Sequence, residues 1–148
     1  MVIKMKETEI NVMDELNKGC SMGMDAISFV MEKVEDKEFK ELLSTQYEQY
    51  QKLSDKICEL FPEYEEKREP KETNTMNKVM TWYGINMKTL TDHSNSKIAE
   101  LLVQGTNMGI VEGRKLLNHK KEDEQVHELV SEYVDMQERA LDRLKEFL

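Results

Sequence analysis

Glu124-Gln-Val-His127 sets a carboxylate and an imidazole one helical turn apart, the spacing with which a helix offers two ligands to one metal ion. Glu132-Tyr-Val-Asp135 has the same spacing with two carboxylates. Asp25 and Glu112 are the other acids close enough to apolar stretches to reach inward. Iron or manganese chemistry would need several of these groups to converge, because hard cations take oxygen ligands whose charge must offset their own. His93, His119 and His127 are the chain's three histidines, and Cys20 and Cys58 its two cysteines. No glycine-rich phosphate loop is present, and no serine or cysteine nucleophile has a histidine at a readable distance.

The elements that would have to position these groups are helices. The 148 residues contain two prolines and six glycines, and about a third are charged, a helical composition in a length that suits a single domain spanning 1–148. Apolar residues recur at spacings of three and four in five segments. The first runs from about 8 to 33, with Thr8 as N-cap and Met13, Leu16, Cys20, Met24, Ile27 and Met31 on its stripe. A link at Val34–Lys37, with Asp36 as the next cap, forces an antiparallel second helix that reaches Phe61 and ends at Pro62. The charged 62–71 stretch reads as a solvated linker. An extra helix follows at about 73–91, capped by Thr73 or Asn74, with Met76, Val79, Met80, Tyr83 and Met87 on one face and Trp82 at its flank. Two further helices are expected at about 94–119 and 122–148.

The hairpin geometry places Cys58 level with Met13, roughly 10 Å along the axis from Cys20. A disulfide needs Cα atoms within about 7 Å, so both cysteines are expected as buried thiols in a reducing cytoplasm. The net charge of −9 argues against nucleic acid and anionic membrane surfaces as partners. No apolar run approaches the ~20 residues of a membrane helix, and the first residues, Met-Val-Ile-Lys-Met-Lys, lack a signal-peptide core.

The chain also repeats itself. Gly19, Met22 and Gly23 return as Gly105, Met108 and Gly109, a shift of 86 residues. The same shift pairs Leu16 with Leu102, Glu38 with Glu124, Leu43 with Leu129, Tyr47 with Tyr133, Gln51 with Gln137 and Phe61 with Phe147. That is nine identities over 46 positions, where composition gives roughly three by chance. The expected plan is therefore hairpin (about 8–61), long crossover with the extra helix, and hairpin (about 94–148).

With duplicated hairpins and one long crossover, the chain resembles a ferritin-like four-helix bundle. Leu16-Asn-Lys-Gly-Cys20, Val34-Glu-Asp36, Trp82 with Lys88, and Gly105 with Leu101-Leu102 are similar to a bacterial branch of that superfamily described only as a domain of unknown function. In its metal-using relatives, the superfamily sets a glutamate on helices one and three and Glu-x-x-His on helices two and four, around two metal ions at mid-height. Counting from the hairpin turns, the matching layer here holds Cys20, Gln51, Thr106 and Gln137, with Gly19 and Gly105 beside it. Tyr47 and Tyr133 lie one layer along, against Gly23 and Gly109. Neutral amides, a hydroxyl and a thiol do not match a dinuclear site. Glu124 and His127 lie in a first helical turn, where an acidic residue serves the helix dipole.

These readings imply a ferritin-like bundle without di-metal ligands. It would be a cytoplasmic, non-catalytic binding or assembly protein, and the resemblance suggests a stress- or sporulation-related role. No cofactor is expected. Homo-oligomerisation is expected through the extra helix, at Met76, Met80, Trp82, Tyr83 and Met87. Two alternatives stand beside this. One is an iron or manganese oxidase or storage protein using Asp25, Glu112, Glu132 and Asp135 with a histidine. The other is a binder of a small apolar ligand in a pocket left by Gly19, Gly23, Gly105, Gly109 and Gly113.

Overall fold

The computed structural model describes residues 7–60, 76–119 and 123–148. Among the described residues there are five helices and no strand: α1 (Glu7–Met31), α2 (Lys37–Leu60), α3 (Met76–Lys88), α4 (Asn95–His119) and α5 (Glu124–Lys145). None is long and apolar enough to cross a membrane. The 62–71 linker and the Thr73 or Asn74 cap lie outside the described residues.

Local chemistry sets the helix ends. The α1–α2 turn closes on Val30, whose carbonyl accepts from the backbone of Lys33 and Val34, and Val34 is buried beneath it. Asp36 caps α2 as expected, its Oδ1 accepting from the Phe39 amide at 2.9 Å. Ser94 caps α4 by accepting from Lys97 N, and Asp92 accepts from Ser94 N. Burial does not perturb that exposed carboxyl much; the Ser94 hydrogen bonds hold Asp92 below its ordinary pKa. Two end predictions need correction. α1 already begins at Glu7, so Thr8 lies within its first turn. The cap of α5 is Asp123, which accepts from Gln125 N, so the helix begins at Glu124 and not Glu122.

Named contacts give the helix directions. α1 and α2 run antiparallel: Ser54 donates to Asn17 Oδ1, and the Tyr50 ring lies over Gly23. α2 and α5 are also antiparallel. Phe39 stacks on Phe147 with centroids 4.5 Å apart, and at the other end Lys56 donates to Glu132 at 2.8 Å. α5 starts beside the start of α1, where the Asp123 amide donates to Glu9 Oε2 at 3.3 Å. α4 packs along α5, and α3 packs on both α1 and α4. The shared core includes Met13, Leu16, Phe39, Leu43, Ile98 and Leu129, all essentially without solvent exposure.

The inward face of α1 follows its predicted stripe, with Met24 and Met31 only at the margin of the core, and α4 buries Ile98, Leu102, Thr106, Gly109 and Leu116. In α3 the predicted face divides. Val79 and Met87 are buried, Tyr83 and Trp82 pack against the core, and Met80 is 45% exposed. The extra helix is thus part of the packed structure.

Candidate functional site

Five helices bring polar side chains to one point, and glycines make the approach feasible. A Cβ at Gly19 would overlap the phenol end of Tyr133, one at Gly23 the ring of Tyr50, and one at Gly105 the phenol end of Tyr83. Gly109 lies close under Tyr133 as well; a Cβ there would sit 3.3 Å from its hydroxyl. Each glycine therefore acts as a socket for one aromatic ring, letting backbone and ring meet closer than any side chain allows.

The phenols need partners once water is excluded, since an unpaired buried hydroxyl costs about 1–3 kcal/mol. Tyr50 donates to Gln137 Oε1 at 3.0 Å. Thr106 lies beside both Tyr50 and Tyr83, and Gln137 beside Tyr133, near enough to ease their ionisation slightly. The result is one chain of contacts, Tyr83–Thr106–Tyr50–Gln137–Tyr133, reaching from α3 through α4 and α2 to α5. Cys20 of α1 is buried with it.

Burial raises all three phenols well above their ordinary pKa, and the neighbouring Gln137 and Thr106 only partly oppose it. Burial, with a smaller contribution from the Glu132 charge, pushes the Cys20 thiol up to about 12. At neutral pH every member of the layer is uncharged. Among the described residues of this layer there is no thiolate nucleophile and no poised general base.

The predicted layer is met in part. Thr106, Gln137 and Tyr133 line one small space with Gly19, Gly23, Gly105 and Gly109, and Cys20 is buried next to Gly19 on α1. Gln51 does not: it is exposed on α2, and Tyr50 takes the inward position. Counting residues from the turn gives height along the axis, whereas the residue at the right height can still point 100° away. Tyr47 is only half-buried at the core margin. Tyr83, assigned from sequence to an outer surface, instead supplies the third phenol. The residue spacing puts Tyr50 on the inward stripe of α2, with Phe39, Leu43, Gln46 or Tyr47, Leu53 and Ile57, and Tyr50 is buried there; its place in the central layer is what the counting by height left out.

The expected pocket between the glycines is filled by these rings. About 10 Å³ remains for the centre of a water-sized sphere, room for about one water and not for an organic ligand. Gly113 is packed against Val134.

The candidate metal ligands lie apart. Asp25 is exposed beside α3. Glu132 and Asp135 both point outward, because Tyr133, Val134, Met136 and Gln137 occupy the inward positions of α5. Glu132 is paired with Lys56, whose pKa it raises by hydrogen bonding. Glu124, His127 and His93 are exposed. Glu112 alone is buried. Its Oε1 lies 3.5 Å from Lys115 Nζ, and its Oε2 has no hydrogen-bond partner. Among the described residues no three His, Cys, Asp or Glu side chains are grouped to hold a metal ion. The donor set at the centre, three phenols, an amide, a hydroxyl and a protonated thiol, does not fit a pair of hard cations. Both cysteines are free thiols, Cys20 buried and Cys58 half-buried.

Comparisons with protein-family models, curated proteins and solved structures return no match for this chain.

Proposed function

We propose that the chain is a ferritin-like bundle of two duplicated hairpins that works by binding or assembly and not by metal chemistry. The carrying observation is the neutral layer Tyr83–Thr106–Tyr50–Gln137–Tyr133, which fills the middle of the structure where a di-metal site would need carboxylates. Two further observations support the architecture. Up, down, down, up is the helix order consistent with the contacts between α1, α2, α4 and α5. Shifting by 86 residues also superposes buried positions of α1 on buried positions of α4: Val12/Ile98, Met13/Ala99, Leu16/Leu102, Gly19/Gly105, Cys20/Thr106, Ala26/Glu112, Ile27/Gly113 and Val30/Leu116. Assembly is supported by apolar groups left in water on α3, Met80 at 45% and Ile85 at 60% exposure.

A second reading, an iron- or manganese-binding oxidase or store, draws on the buried and unpartnered Oε2 of Glu112. Elemental analysis separates the two. Untagged protein is loaded anaerobically with iron(II) or manganese(II), desalted and measured. The binding or assembly reading predicts retention of less than about 0.2 ion per chain, since hard cations need several converging carboxylates. Retention of one or two ions per chain, lost in Glu112→Gln, would establish the second reading instead.

A further inference from the structure

Tyr83 stands between two spaces. On one side is an open apolar groove between the second half of α1 and α3, with a free volume of about 270 Å³. On the other is the small space at the middle of the polar layer. Met22 and Tyr83 line both. The groove therefore leads from solvent to the layer, and the half-buried Tyr83 ring closes the way.

That closure is built to open. The ring has somewhere to go, because the next residue, Gly84, faces the groove and a Cβ there would meet no atom within 4 Å. The helix that carries it is lightly held. α3 has 13 residues, short for a helix stable by itself, and a glycine in its interior. Among its described side chains only Val79 and Met87 are buried. Segments with so few buried contacts open at a lower free energy than the whole molecule.

The present occupant defines the next one. The phenol end of Tyr83 rests on Gly105, where any Cβ would overlap it, and Thr106 lies beside it. Withdrawn, the ring leaves a socket shaped for an aromatic hydroxyl, with Gly105, Met22, Tyr50 and Thr106 around it. No charged residue lines this space, so an ion entering it would lose its water without gaining a counter-charge.

We propose that Tyr83 is an internal stand-in for a ligand: α3 opens, and a small free phenol takes the place of the Tyr83 ring on Gly105 beside Thr106. The closed form, with Tyr83 in its socket, is the resting one. This deepens the binding half of the function proposed above, on which it rests, by naming the site, the ligand class and the gate.

The probe is 4-methylphenol, the free equivalent of the tyrosine side chain. Trp82 is the chain's single tryptophan and meets Tyr83 edge-on with centroids 5.3 Å apart, so its emission reports displacement of Tyr83 in the unmodified chain. Titration of the full-length wild-type chain is expected to change Trp82 emission saturably, with toluene about fivefold weaker, the scale of one hydrogen bond. Tyr83→Ala removes the tethered competitor and is expected to bind 4-methylphenol at least about tenfold more tightly by calorimetry. Circular dichroism checks that this variant folds, and the wild-type titration stands without it. Adding Gly105→Ala to Tyr83→Ala narrows the socket and should weaken binding by more than about tenfold. No response of Trp82 in the wild-type chain overturns the proposal even where Tyr83→Ala binds, since that cavity is then a product of the substitution. Equal affinity for 4-methylphenol and toluene, or an affinity unchanged by Gly105→Ala, overturns it as well. Those failures would leave assembly through the exposed face of α3 intact, whereas metal retention would remove the proposed function without altering displacement of Tyr83.

Discussion

Each glycine–tyrosine pair at the centre is a two-part constraint: the glycine sets how closely a ring approaches, and the hydroxyl fixes where the ring must stop. Tyr50 shows both, with its ring over Gly23 and its proton donated to Gln137. Tyr50→Phe keeps the ring and strips Gln137 Oε1 of that donor. The expected cost is about 1–3 kcal/mol, read as a lower urea midpoint at unchanged slope. A shift within error would mean that Thr106 or water fills the role. Cys20 lies in the same layer, and its raised pKa leaves almost no thiolate at neutral pH. Ellman's reagent should therefore modify one thiol of the native chain, the half-buried Cys58, and reach Cys20 only on unfolding. Equal rates at both cysteines in the folded protein would contradict this burial.

At the scale of elements, α3 carries the largest difference between expectation and structure. Its stripe gave the helix, the direction of Val79 and Met87, and an apolar face. What the stripe did not contain was the socket: Tyr83 enters the core because Gly105, on a different helix, leaves room for it. That information lies in a pair of distant residues and cannot be read from periodicity. Gln51 and Gln137 teach the same lesson from the other side. They are mates in the internal repeat, yet Gln137 is buried and Gln51 exposed, since α5 turns a different face inward from α2. The shift of 86 residues carried burial from α1 to α4 but not from α2 to α5. Two alanine substitutions test the socket. Both replace a helical glycine, a change worth up to about 1 kcal/mol in favour of the helix. Gly84→Ala, in open space, should raise stability by about 0.5–1 kcal/mol. Gly105→Ala, which drives a methyl into Tyr83, should lower it by about 1–2 kcal/mol through overpacking. Thermal melts showing the same sign for both variants would refute the close approach of α3.

For the whole molecule, the consequence is a centre that excludes charge. All the acids named as metal ligands except Glu112 lie at the surface, while the middle is filled by neutral polar groups contributed from α2, α3, α4 and α5, with the Tyr50–Gln137 hydrogen bond among them. This ties stability to pH in a defined direction. The buried phenols have folded-state pKa values above the unfolded value of about 10, so the stability they contribute is fully present below that pH and declines as pH rises above it.

The most direct measurement of this neutral centre is an alkaline tyrosine titration, following phenolate absorbance and helical circular dichroism on the same sample. The chain has five tyrosines. Three of them, Tyr50, Tyr83 and Tyr133, are predicted to ionise only as helicity is lost, in one step with unfolding. Ionisation of all five while the helices remain intact would contradict the closed neutral layer on which this account rests.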